Sequence, residues 1–120
     1  MGIETKKDNV IKVKSFSFAI EIVGLYKYLT ETKREFVMSR QLLKSGTSIG
    51  ANVREAEFAQ SKLDFINKMS ISLKEANESD YWLELLYITN YIDENIYNDF
   101  KIKISEILKL LVSIVKSSKG

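Results

Sequence analysis

Apolar residues recur along the chain at the three- and four-residue steps that place side chains on one face of an α-helix. After Ser15, the spacing of Phe18, Ile22, Leu25 and Leu29 predicts a helix over about 15–34. Residues 1–14 mix charged and apolar types and are expected to form a mobile tail or a short docking strand ahead of a single domain over 15–120. Ser39 is suited to cap a second helix, with its hydroxyl accepting from the first free backbone N–H groups. That helix, about 40–58, carries Leu42, Ile49, Val53 and Ala56 on one side and a polar stripe of Gln41, Ser45, Ser48 and Asn52 beside them. Ser61 predicts the next cap. No Gly or Pro interrupts 61–90, and Phe65, Met69, Ala76, Leu83 and Leu86 keep helical spacing, which predicts a third helix roughly 40 Å long. Two Asn and two acidic residues within 91–98 predict a turn. A last helix is expected over about 98–117, with Lys116 and Lys119 at the negative pole of its dipole. Short connections force sequential helices side by side, so the fold expected is all-α, an antiparallel up-down-up-down four-helix bundle.

The last helix is unusually apolar. Nine of the fourteen residues from Ile102 to Val115 are large aliphatics, where a helix with one buried stripe has about three or four per seven. Ile104, Leu108, Leu111 and Val115 form the expected core seam. Ile107, Leu110 and Ile114 then form a second seam that points elsewhere, either a broad core face or a subunit interface.

Composition narrows the chemistry. A chain of 120 residues makes one domain. It has no Cys and no His, which removes disulfides, thiolate nucleophiles, Cys/His zinc sites and every triad that needs an imidazole base. It also has no Pro, as a mostly helical chain would. No apolar run approaches the roughly 18 to 20 residues of a membrane span, so no membrane partner is expected and the chain is placed in the cytoplasm. The small residues of Ser45-Gly46-Thr47-Ser48-Ile49-Gly50-Ala51-Asn52 lack the order of a phosphate-binding loop, and Gly46 and Gly50, one turn apart, predict close helix packing instead. Asn52, Glu55, Glu75, Glu78 and Asp80 resemble a carboxylate metal set, but the histidines such sites use are missing, and no cofactor is expected. Trp82 is flanked by acids that repel phosphate, so it reads as a core or interface anchor rather than a base-stacking platform.

The formal charge of +2 means that any nucleic-acid footprint must be a local patch. Lys12 and Lys14 form one basic cluster, Arg40, Lys44 and Arg54 a second, and Lys101, Lys109 and Lys116 a third, each of a kind that is most often a solvated face. The second and third are the candidate contacts for RNA or DNA.

The stretch from Ser39 to Ala56, SRQLLKSGTSIGANVREA, together with Lys74 to Leu86, KEANESDYWLELL, resembles the four helix bundle protein family, whose members are encoded in intervening sequences of bacterial 23S ribosomal RNA genes and in other bacterial loci. The likeness spans about 15–117 and centres on the signature Q-x-x-x-S-x-x-S-I-x-x-N-[IV]-x-E. The resemblance implies a left-handed up-and-down bundle that assembles into a homopentamer. It also brings in a relative, the accessory variability protein of diversity-generating retroelements, a basic pentamer that binds nucleic acid and works with a reverse transcriptase. The family has no established enzymatic activity, so Gln41, Ser45, Ser48, Asn52 and Glu55 carry over only as structural or interface residues. Lys44 stands where Arg is frequent, and Ala56 where Gly often follows the Glu. The expected function is a non-enzymatic oligomeric interaction protein with an RNA- or ribosome-associated role suggested by genomic kinship and an unidentified protein partner. The alternative is a nucleic-acid-binding accessory subunit that works through a basic face.

Overall fold

A computed structural model describes residues 6–120 as four helices, α1 (Lys6–Glu31), α2 (Met38–Glu57), α3 (Lys62–Ile88) and α4 (Glu94–Lys119), with no strand among them. The first helix thus begins at Lys6 and not near residue 15. Most of the expected tail is helical, and residues 1–5 lie outside the described residues. The reason is that Ile11 and Ser15 are both fully buried and extend the Phe18–Ile22–Leu25–Leu29 face backwards at helical steps. The charges that suggested a tail sit on the flanks of that face. Lys12 pairs with Glu57 of α2 and Lys14 with Glu106 of α4, Nζ to Oε2 2.9 Å.

The helix starts are set by side-chain caps, one of them at an unexpected residue. Ser61 accepts from the Asp64 amide at 3.0 Å, and the Asp64 carboxylate accepts from the Gln60 amide, so α3 begins where expected. Asp93 accepts from the Ile96 amide at 2.9 Å and starts α4 earlier than the composition of 91–98 suggested. Ser39, the expected cap of α2, lies inside that helix and is fully buried. Its place is taken by Glu35, whose carboxylate accepts from the amides of Val37, Met38 and Ser39 at 3.0, 3.0 and 2.7 Å. The Ser39 hydroxyl donates back to the Glu35 carbonyl at 2.8 Å. At the same end of the bundle α3 closes through Asn90, at φ 68°, a left-handed conformation that Asn tolerates, with the Tyr91 amide returning to the Leu86 carbonyl.

Each helix touches two neighbours, in the cyclic order α1, α2, α3, α4, and no diagonal pair comes into contact. Neighbours run antiparallel, because low numbers on one helix meet high numbers on the next. Glu55 reaches Lys68 while Ser45 reaches Ser79, and Asp80 reaches Lys101 while Tyr87 stacks on Tyr97. The core is a column of aliphatics with Phe18 edge-on to Phe100. Ile107 and Ile114 belong to it, at 1% and 3% exposure. The second seam expected on the last helix therefore does not point away: α4 enters the bundle with a wide apolar arc, and only Leu110 of that trio is half-exposed.

Two pairs of helices approach closely, for different reasons. A Cβ on Gly46 would stand 2.9 Å from Ile22 Cγ1, and one on Gly50 would stand 3.3 Å from the Ser15 backbone, so the glycines are what lets α1 lie against α2. Between α2 and α3 the gap is filled by serines. Ser72 donates to the Ile49 carbonyl at 2.8 Å, and the Ser45 and Ser79 hydroxyls lie 3.0 Å apart, all fully buried.

Candidate interaction faces

The signature residues of α2 gather along its edge with α3, where they do different jobs. Ser45 is buried in the serine contact, and Ser48 donates to the Lys44 carbonyl at 2.6 Å. Asn52 donates to the Ser48 carbonyl at 2.8 Å, so its amide is satisfied by its own helix, while Gln41 stays exposed and the two amides do not pair. Glu55 is exposed and pairs with Lys68 of α3 at 3.1 Å. Beside them Trp82 is half-buried against the core, edge-on to Tyr81, with its indole Nε1 enclosed and without a hydrogen-bond partner.

The acidic residues singled out from the sequence disperse. Glu55 goes to Lys68 and Asp80 to Lys101. Glu75 is held above the usual carboxylate range, first by burial and then by the neighbouring charge of Glu78. Among the described residues no three acidic side chains converge as a metal site. A small cleft between α1 and α4, about 190 Å³, is lined by Lys14, Glu21, Lys103 and Glu106, but these pair off across it as Lys14 with Glu106 and Lys103 with Glu21. Its charges are neutralised by one another.

The basic clusters separate in the same way. Lys101 is bound to Asp80 at 2.8 Å, and its ammonium is held above the usual range by that hydrogen bond. It offers little to a phosphate. On the outer face of α2, Arg40 and Lys44 are exposed and form no ion pair among the described residues, and the Arg54 guanidinium lies 5.4 Å over the Phe16 ring. Lys109 and Lys116 are likewise exposed on the outside of α4, with no ion pair among the described residues.

The largest feature that the sequence reading missed is on α1. Val13, Phe16, Ile20 and Val23 stand 69%, 54%, 58% and 38% exposed, on the side of the helix opposite its core face. Their three- and four-residue spacing was legible, half a turn out of phase with Phe18, Ile22 and Leu25. The sequence alone does not mark it as a surface, because one apolar stripe suffices to account for a helix and the period does not say which of two stripes the neighbours cover. Within the single chain its one ring or ion contact is the Arg54 guanidinium over Phe16, among the described residues. No helix among the described residues is long and apolar enough to cross a membrane.

Comparison with known proteins places this arrangement. A model of the 23S rRNA-intervening sequence protein family matches residues 7–113. A search of curated proteins gives no match. Among solved structures, a protein of unknown function from the S23 ribosomal protein family of Bacteroides thetaiotaomicron is 61% identical, superposes with a TM-score of 0.90, and is covered over 92% of this chain and 98% of its own. The fold, the α2 signature edge and a match over nearly the whole chain agree, and the protein belongs to the 23S rRNA-intervening sequence protein family.

Proposed function

We propose that the protein is a cytoplasmic, non-enzymatic interaction protein that works as an assembly of identical subunits. The observation that carries this reading is the apolar stripe Val13, Phe16, Ile20 and Val23, exposed on a chain that already has a complete core. Contiguous exposed apolar surface marks a surface that another molecule covers. The resemblance to the family suggests five subunits. A chain without cysteine suits a reducing compartment. The reading of the chain as a non-enzyme is supported by the pairing of its acids with lysines, which leaves no converging acid, base and nucleophile in the α1–α4 cleft. Multi-angle light scattering tests the assembly: a mass several times 13.8 kDa at micromolar concentration is expected, and a single-chain mass rejects the proposal.

A second reading, as a nucleic-acid-binding accessory subunit, is favoured by Arg40 and Lys44, exposed on the outer face of α2 with no ion pair among the described residues. Repetition of this face around an assembly would multiply weak phosphate contacts. Fluorescence anisotropy with unrelated RNA and DNA oligomers tests it, and binding that is sequence-blind and falls as salt rises is expected.

A further inference from the structure

We infer that the apolar stripe of α1 in one copy packs against the outer face of α4 in the next copy, head to tail, with Ile20 meeting Ile102. This rests on the self-association proposed above and adds which two surfaces meet. The outer face of α4 is a stripe of its own, Ile102, Ser105, Lys109, Val112 and Lys116 at helical steps, with Ile102 64% and Val112 38% exposed. The two stripes match in height along the bundle. The contacts of Lys14 with Glu106, Lys7 with Ser113 and Lys103 with Glu21 fix the level of α1 against α4. They put Ile20 level with Ile102, Phe16 with Ser105, and Val13 with Lys109. A neighbour related by rotation about an axis parallel to the bundle keeps those levels, so Ile20 meets Ile102 of the next copy. The bulky Phe16 then meets the small Ser105, and Val13 lies along the Lys109 stem and toward Val112. Lys27, exposed at the end of the α1 stripe, comes level with the first turn of α4, where Glu94 is exposed. At the opposite end Lys6 and Lys116 share a level, both in open solvent. A two-fold contact of α1 with itself would instead set Phe16 and Ile20 against each other with no small residue between them.

The geometry also closes. With contacts only between cyclic neighbours, α1 and α4 occupy adjacent corners of the bundle, and in a four-cornered arrangement the outward directions at adjacent corners differ by about a right angle. Head-to-tail contacts close into a ring when that angle equals the interior angle of the polygon, about 90° for four copies and about 108° for five. The α1–α4 side faces the ring axis, and the basic face of α2 points outward.

Because the chain has no cysteine, engineered thiols report the contact cleanly. The variants Ile20→Cys and Ile102→Cys, each in its own chain, are co-expressed and oxidised with copper phenanthroline. Mixed dimers that link one chain of each kind are expected, with neither variant linking to itself when expressed alone. Ile20→Cys dimers would overturn the inference in favour of a two-fold α1 contact, and absence of links in a protein of oligomeric mass would place the contact elsewhere. A single-chain mass for the unmodified protein would reject self-association itself. Independently, Ile20→Glu is expected to reduce the assembly to single chains with unchanged far-UV circular dichroism. Tyr81→Glu, exposed on the diagonal helix α3, is expected to leave the mass unchanged. An assembly that survives Ile20→Glu would overturn the inference.

Discussion

Gly46 lies so close to Ile22 that a single added carbon would stand 2.9 Å from one side-chain atom and 3.0 Å from another. Ile22 is fully buried and has nowhere to move. Gly46→Val is therefore expected to destabilise the protein by about 2 kcal/mol, since overpacking a filled core outweighs the helix propensity gained on replacing Gly. Chemical denaturation checks this, and a variant as stable as the parent would mean that α1 and α2 separate at little cost.

The buried hydroxyls of Ser45 and Ser79 join α2 to α3, but each also has a carbonyl of its own helix, Leu42 for Ser45 and Glu75 for Ser79. Either serine changed to Ala leaves the other partly satisfied, so a loss of about 1 kcal/mol is expected for each. The double variant should lose less than the sum of the two, because the shared contact is lost only once. Urea denaturation of the four proteins measures the coupling.

Glu35 gives the protein an acid-sensitive helix start. Burial opposes its charge, but the hydrogen bonds from the Ser39, Met38 and Val37 amides outweigh that effect and hold its pKa below the ordinary value of 4.5. A lowered pKa in the folded state means that the carboxylate contributes stability above pH 4.5, which is lost as pH falls through the folded value. Glu35→Gln is expected to cost about 1 to 2 kcal/mol at neutral pH. It should also flatten the decline of melting temperature below pH 4.5, a shift that thermal scans across pH detect.

Ion pairing sorts the lysines and arginines for nucleic-acid binding. Arg40→Glu with Lys44→Glu is expected to weaken any RNA binding and to reduce its salt slope by about 1 or 2. Lys101→Ala should leave binding unchanged, because Asp80 already occupies that ammonium. Anisotropy titrations at several salt concentrations separate the two. Affinity no tighter than about micromolar is expected near physiological salt.

By itself, the sequence determined that the chain is four helices, roughly where each lies, and which residues of α2 and α3 form the core. A stripe of apolar residues at helical spacing is a property of one segment, and a cap such as Ser61 is local chemistry. The α2 signature likewise identified the family, because it needs no knowledge of neighbours. Tertiary structure decided whatever depends on two segments meeting. Ile107 and Ile114 are core because α1 and α3 reach far enough around α4 to cover them. Glu35 replaces Ser39 as the cap because the α1–α2 connection folds its carboxylate onto three amides. Lys101 is neutralised by a direct ion pair with Asp80 of the next helix, whereas Lys44 only feels the charge of Glu75 on α3 without such a contact. The spacing of the outward stripe of α1 is written in the sequence, but that it faces outward is decided by the burial of Ile11, Ser15 and Phe18 against the other helices. Helical period is written into the order of residues, but which face of a helix meets water is fixed by the positions of the helices around it.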